Sequence, residues 1–377
     1  MSMIRFILFC GLILHIGVAI WNGFFGPSLG AEGDAAVFHE EALYFANNLG
    51  NFEYVTGWVY AYFLGILYRT FSDHIFFGSM ISVFAWFLSS IYLLKTMKIL
   101  NQNNINIIIV LLLFSIWPSS VLNTSVTLRE AFQMLSINII LYSAVNIFWN
   151  NKNSWILLGV GMMLGSVLHG ALLIFCGAMF FFIIYKFAQI RLKFSTTSRF
   201  LLTFIVGGAG LVIAYGLLGN IAYSVDDGLV AAVQTFNEGA TSINARANYR
   251  DDIYFSGPLD LILFLPVAFF QYMLEPLPAR IGSAADAALF LENVVRVGML
   301  SWAIFVNFRL DKRNRPVHSF ILLAYIGVSL IWSIGSVNWG TAARHHVPGL
   351  GLLLVAAFYS LRSRASENVS MHKSRLI

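Results

Sequence analysis

Charge is scarce in this sequence. Of its 377 residues, 11% are charged and 58% are hydrophobic. An average soluble domain carries about 25% charged residues, so an ordinary water-soluble fold is excluded. Cysteine is scarcer still. The two present, Cys10 and Cys176, fall inside apolar stretches, which excludes a disulfide or zinc framework. No internal repeat, low-complexity tract or separate soluble domain interrupts the chain. The cytoplasmic loops assigned below hold no glycine-rich nucleotide loop. A net charge of +5 is too unevenly placed along the chain to read as nucleic-acid affinity, and no nucleic-acid partner is expected.

Long apolar runs are what the chain has instead. Runs of about 17 to 25 residues match the thickness of a bilayer. Ten are assigned as spanning, at 3–21, 77–94, 105–121, 130–149, 155–168, 171–185, 200–218, 291–306, 320–337 and 347–361. The first is read as a retained helix, because no small-residue cleavage site follows it. The short pair at 155–168 and 171–185 is also compatible with one long kinked helix. Two further runs are demoted to the membrane surface. Run 57–71 is rich in Trp and Tyr, which favour the interface. Run 258–274 is broken by Pro266, which suits a re-entrant or surface-lying segment.

Charge placement supports that choice. With the N-terminus inside, 16 of the 23 Lys and Arg residues fall on the cytoplasmic side and 16 of the 18 acids fall outside, as the positive-inside rule requires. The expected fold is all-α: a polytopic transmembrane bundle of about ten spanning helices, with interfacial helices in the first and fourth external loops. The whole chain, 1–377, is then one integral membrane domain with both termini cytoplasmic. Its large external loops are 22–76 and 219–290, and its tail, 362–377, is basic. Function is expected on the external face, where the acids and the polar chain length lie.

Four external segments carry residues capable of chemistry. In the first, Asp34, Phe38, Glu41 and Phe45 share a helical face, with His39 beside them. Asp34 reads either as a helix N-cap or as a general base held at the membrane surface. In the second, Pro118 ends or kinks a helix and Arg129-Glu130 opens the next. The helix dipole favours Glu130 there but not Arg129, so Arg129 calls for an anionic partner, either a protein carboxylate or a ligand phosphate. In the third, Arg246 and Arg250 are four apart and could fork onto a phosphate, or pair locally with Asp251 and Asp252. In the fourth, Arg344, His345 and His346 open the last helix. Adjacent histidines make a poor metal pair. His169 reads as a core histidine, and Glu292 with Arg296 as a structural ion pair.

Three of these segments carry short motifs. Gly-Asp-x-x-x-(Phe/Tyr)-His-x-x-Ala occurs as Gly33, Asp34, Phe38, His39 and Ala42. Pro118 precedes Leu128-Arg129-Glu130, and Gly-Thr-x-x-Arg-x-x-x-Pro occurs as Gly340, Thr341, Arg344 and Pro348. Together with the layout of spans and surface segments, they resemble the GT-C superfamily of membrane glycosyltransferases, which take sugars from polyprenyl-phosphate carriers. Dolichyl-phosphate-mannose mannosyltransferases and lipopolysaccharide sugar transferases are of this type. The resemblance implies an inverting transfer to a cell-envelope glycan or lipid acceptor on the external (periplasmic) face of a bacterial inner membrane. Asp34 would then be the catalytic base. Arg129, Glu130, Arg246, Arg250, Arg344, His345, His39 and Glu41 would bind substrate or its phosphate. Partners would be the lipid-linked donor, the acceptor and membrane lipids. No cofactor is assigned, and a divalent metal is left open. A polymerase or ligase of O-antigen or capsule type is the alternative, and a lipid-linked-sugar flippase or transporter the third.

Overall fold

A computed structural model describes residues 3–27, 33–49, 58–150, 154–190, 195, 198, 247–250 and 255–360. The run at 200–218 and Arg246 lie outside them. Every regular element among the described residues is helical. Six helices are long and apolar enough to cross a membrane, or seven if one bent pair counts as a span. They mark a helical membrane protein. Large apolar side chains lie exposed along them, such as Phe6, Phe9 and Ile13 on the first helix, as surfaces facing lipid require.

The candidate spans correspond to six of the ten apolar runs. Helix α1 is Met3–Phe24. Two shorter helices follow, α2 (Asp34–Asn47) and α3 (Val59–Thr70). They pack against each other through Ala35, Phe38, Ala42 and Phe45 on one side and Tyr60, Ala61, Leu64 and Tyr68 on the other. Gly65 lets their backbones touch: a Cβ there would lie 2.9 Å from the Ala42 carbonyl oxygen. Val37, Tyr44, Phe63 and Ile66 point outward from the pair. Helix α4 (Ile75–Ile99) returns through the bundle.

The run at 105–121 is not one straight helix. It divides into α5 (Asn104–Ile116) and α6 (Pro118–Thr124), bent by 57° at Trp117. Pro118 has no N–H to donate and starts the new helix at its first position. Helix α7 is Glu130–Val145, continued by a π-helical turn at Asn146–Asn150. Helices α8 (Trp155–Leu168) and α9 (Gly170–Ile190) form an antiparallel hairpin, not one kinked helix. The two ends farthest apart in sequence meet, with Trp155 packed edge-on against Phe187 at 5.1 Å. His169 is the apex, in extended conformation.

The C-terminal part adds α10 (Pro258–Leu274, containing Pro266), α11 (Ala284–Arg309) and α12 (Arg315–Gly335). The run expected at 347–361 differs. The structure has α13 (Trp339–His346), a turn at Pro348-Gly349, and then α14, only Leu350–Ala357. Every residue of α14 is buried. It is surrounded by protein rather than lipid, so nothing requires it to match the bilayer thickness. Gly351 sits against the Asn138 amide, closer than any Cβ would allow.

The ends of these helices sort into two faces. At one, Asn106 donates to the Phe358 carbonyl and His318 meets the Ala356 carbonyl. At the other lie α2, α3, the α5–α6 bend, the start of α7, the α8–α9 apex, the end of α12 and α13.

Candidate functional site

The second face gathers most of the candidate residues. Gly33, not Asp34, occupies the N-cap of α2, and Asp34 is its first helical residue with no capping bond. Its carboxylate instead accepts a hydrogen bond from Arg344, 310 residues away in sequence. Asp34 sits where the helix dipole favours a negative charge. Arg344 is in the last turn of α13, where the dipole favours a cation. That corrects the expectation that Arg344 opens the last helix, a position where the dipole would disfavour a cation. The Pro348 turn makes α13 a separate short helix, so Arg344 falls near its C-terminus.

Arg129 is the N-cap residue of α7 and lies behind this pair. Its Nη1 donates to the Leu168 carbonyl at 3.3 Å, and its guanidinium lies 5.3 Å from the centre of the Phe38 ring. Its Nε is buried with no hydrogen-bond partner, and so is Oε2 of Glu130. The ion pairs among the described residues are Arg280–Glu275, Arg296–Glu292 and Arg344–Asp34. Arg129 belongs to none of them. Desolvation pulls the Arg129 guanidinium below its ordinary range; Arg344 adds to this, while Glu130 and Asp34 oppose it. Four charges from three separate parts of the chain therefore act on one another here.

Two histidines complete the cluster. His345 meets the Ser336 hydroxyl at 2.7 Å through Nδ1 and stacks on Trp332 at 4.0 Å. His169 lies 4.4 Å from the same indole and 5.9 Å from the His345 ring. Its Nδ1 accepts from the Ala171 N–H, which leaves the ring proton on Nε2. Burial, followed by the neighbouring arginines, holds both imidazoles well below their usual range. They are neutral at physiological pH, so the cations of the site are Arg129 and Arg344. Sequence reasoning took His169 for a core histidine. Its imidazole is buried, as that reading expects, but it lies at the apex between two helices and so reaches the charged cluster.

The other candidates have different surroundings. His39 meets the Tyr68 hydroxyl at 3.0 Å and ties α2 to α3; partial burial lowers its pKa. Glu41 is half-buried and makes no ion pair among the described residues. Arg250 is buried, and its Nη1 donates to the Ser333 and Ile334 carbonyls at the end of α12 while its Nε donates to Gln271. It serves as a cap for that helix. His346 binds the Tyr272 carbonyl, away from the Asp34 group.

Glu292 and Arg296 form the expected ion pair at 2.8 Å, but not at a helix start. Helix α11 begins at Ala284, capped by Ser283, which places the pair two to three turns inside. Glu292 also accepts from the Trp117 indole and the Ser119 hydroxyl, and Arg296 donates to Asn293. These bonds fasten the α5–α6 bend to α11. Among the described residues, no group of three His, Cys, Asp or Glu side chains converges to hold a metal ion.

No family model, curated protein or solved structure matches this chain.

Proposed function

We propose that the chain is a membrane glycosyltransferase that moves a sugar from a polyprenyl-phosphate carrier to a glycan or lipid acceptor. The observation that carries this reading is the meeting of Asp34 and Arg344 beside Arg129. A carboxylate able to take a proton adjoins two guanidiniums suited to a phosphate. In the reaction, the acceptor hydroxyl would lose its proton to Asp34 as its oxygen bonds to the anomeric carbon. The carbon–oxygen bond to the carrier phosphate would break, its electron pair leaving on the phosphate. A single displacement inverts the anomeric centre. Arg344 and Arg129 would stabilise the departing charge, a contribution of several kcal/mol in a site sheltered from water.

Helix lengths favour a lipid-borne donor. Helix α5 has 13 residues and α8 has 14, rising about 20 Å at ~1.5 Å per residue, against a hydrocarbon core of about 30 Å. As straight helices they fall short of that thickness, and α5 makes up its length only through the bend into α6. Irregular backbone at that depth is tolerated where it lines a cavity. A phosphate carried on a lipid would reach helix ends at that depth without leaving the bilayer. The finer topology belongs to the same proposal: about ten spans, α2 and α3 lying at the interface, both termini cytoplasmic, and the site facing outward from a bacterial inner membrane.

The test is transfer by the full chain in proteoliposomes, offered a panel of polyprenyl-phosphate sugars with envelope lipids and glycans as acceptors. Release of polyprenyl phosphate is expected, with loss of about 10²-fold or more in Asp34→Asn. Undiminished turnover in that variant overturns the assignment. A ladder of lengthening products, rather than addition of one sugar, moves the assignment to a polymerase.

A further inference from the structure

We propose that the Asp34–Arg344 pair is a latch opened by the phosphate of the incoming ligand. The phosphate replaces Asp34 as the partner of Arg344, with Arg129 beside it, and leaves Asp34 as a free carboxylate. The inference rests on the glycosyl-transfer reading for the identity of the anion and for the role of Asp34 as the base.

The resting arrangement holds the base in an unproductive state. A carboxylate oxygen engaged by a guanidinium is not open to an acceptor hydroxyl, whose proton must reach that oxygen directly. In this structure Arg344 occupies Asp34 directly. The two partners are unequally placed: the Arg344 side chain is 16% exposed and that of Asp34 52%. Arg344 is therefore the fixed member, and Asp34 the one that can turn to solvent without leaving a buried charge behind. The start of α2 continues to favour the released carboxylate through its dipole.

An anion arriving at Arg344 finds a second cation in need of a partner. Arg129 is in no ion pair among the described residues, and its Nε is buried without an acceptor. The neighbouring imidazoles of His169 and His345 are held neutral, so they add no competing charge. Two guanidiniums and one phosphate make a charge-assisted arrangement stronger than a single half-exposed pair. The exchange couples ligand arrival to exposure of the base, so Asp34 is freed only when the phosphate is seated.

Binding of farnesyl monophosphate to the full chain in detergent tests the exchange, with inorganic phosphate and farnesol as parallel probes. Asp34→Asn is expected to bind farnesyl monophosphate about tenfold more tightly than the native chain, a typical size for coupling between two sites. Arg344→Gln should lose binding by a similar factor. Equal or weaker binding by Asp34→Asn, or undiminished binding by Arg344→Gln, overturns the latch. A second measurement needs no variant: carbodiimide labelling of Asp34 in the native chain should rise severalfold when farnesyl monophosphate is added, and unchanged labelling also overturns it. If inorganic phosphate alone reproduces the effect, the latch answers to free phosphate; if farnesyl monophosphate is required, it answers to the lipid headgroup. Exchange without any sugar release leaves the latch standing and removes the transfer reading. Sugar release without exchange does the reverse.

Discussion

The Glu292–Arg296 pair joins two residues four apart on one helix, with side-chain exposures of only 4% and 3%. The Asp34–Arg344 pair joins residues 310 apart, and one member is half exposed. In the first, the charged groups are met on several sides: Trp117 and Ser119 donate to the carboxylate and Asn293 accepts from the guanidinium. In the second, no further side-chain hydrogen bond among the described residues joins the two carboxylate–guanidinium partners to the cluster, and the charges behind them, Arg129 and Glu130, retain buried atoms without partners. One pair is arranged as structure. The other is arranged so that one partner can be exchanged.

The sharpest way to break this comparison is to neutralise one member of each. Arg296→Met leaves Glu292 buried without its cation, which costs about 3–5 kcal/mol in other proteins. The measurement is thermal unfolding in detergent, and the expected result is a large fall in melting temperature or loss of the folded protein. A variant as stable as the native chain would show that Trp117 and Ser119 alone satisfy the carboxylate, and the contrast between the pairs would dissolve.

The next effect comes from the two histidines beside Arg129. Burial depresses His169 and His345 below the 6.5 of an unperturbed imidazole. The unfolded chain takes up protons near pH 6.5 while the folded chain does not, so stability is fully present above that pH and falls below it. Each such histidine contributes a slope of up to about 1.4 kcal/mol per pH unit in that range. Replacing His169 with Gln should flatten the decline measured between pH 6.5 and pH 5. An unchanged slope would mean that His169 is reached by water and does not belong to the sheltered cluster.

How much of this was legible in the sequence depends on distance along the chain. The Glu292–Arg296 pair is readable because four residues make one helical turn. The apolar runs yield six of the candidate spans directly. Trp58, Tyr60 and their neighbours mark out a separate segment, and a short helix, α3, is found there. Asp34 could be singled out as an N-cap or a base, and Arg129 and Arg344 as cations expected at helix starts. Their meeting could not be read, since nothing local records that α2 and α13 lie side by side. The division of the last run into α13 and α14 was signalled by Pro348-Gly349, but apolar length outweighed that signal. Arg250 was misjudged for a related reason. Its spacing from Arg246 suggested a phosphate fork, while its real partners are carbonyls more than eighty residues away.

The smallest expected effect is the most discriminating. If Asp34–Arg344 is an exchangeable pair, its contribution to folding is that of a partly exposed ion pair, about 0.2–1 kcal/mol. Asp34→Asn should therefore melt within a few degrees of the native chain, in contrast with Arg296→Met. Arg344→Gln tests the same bond from the better buried side and should cost somewhat more, because the stem of Arg344 packs in α13. A loss in Asp34→Asn as large as in Arg296→Met would make both pairs structural, and any loss of transfer in that variant would then report unfolding. Native stability combined with lost transfer separates the two roles, because a residue that neither holds the fold nor does chemistry would leave both measurements unchanged.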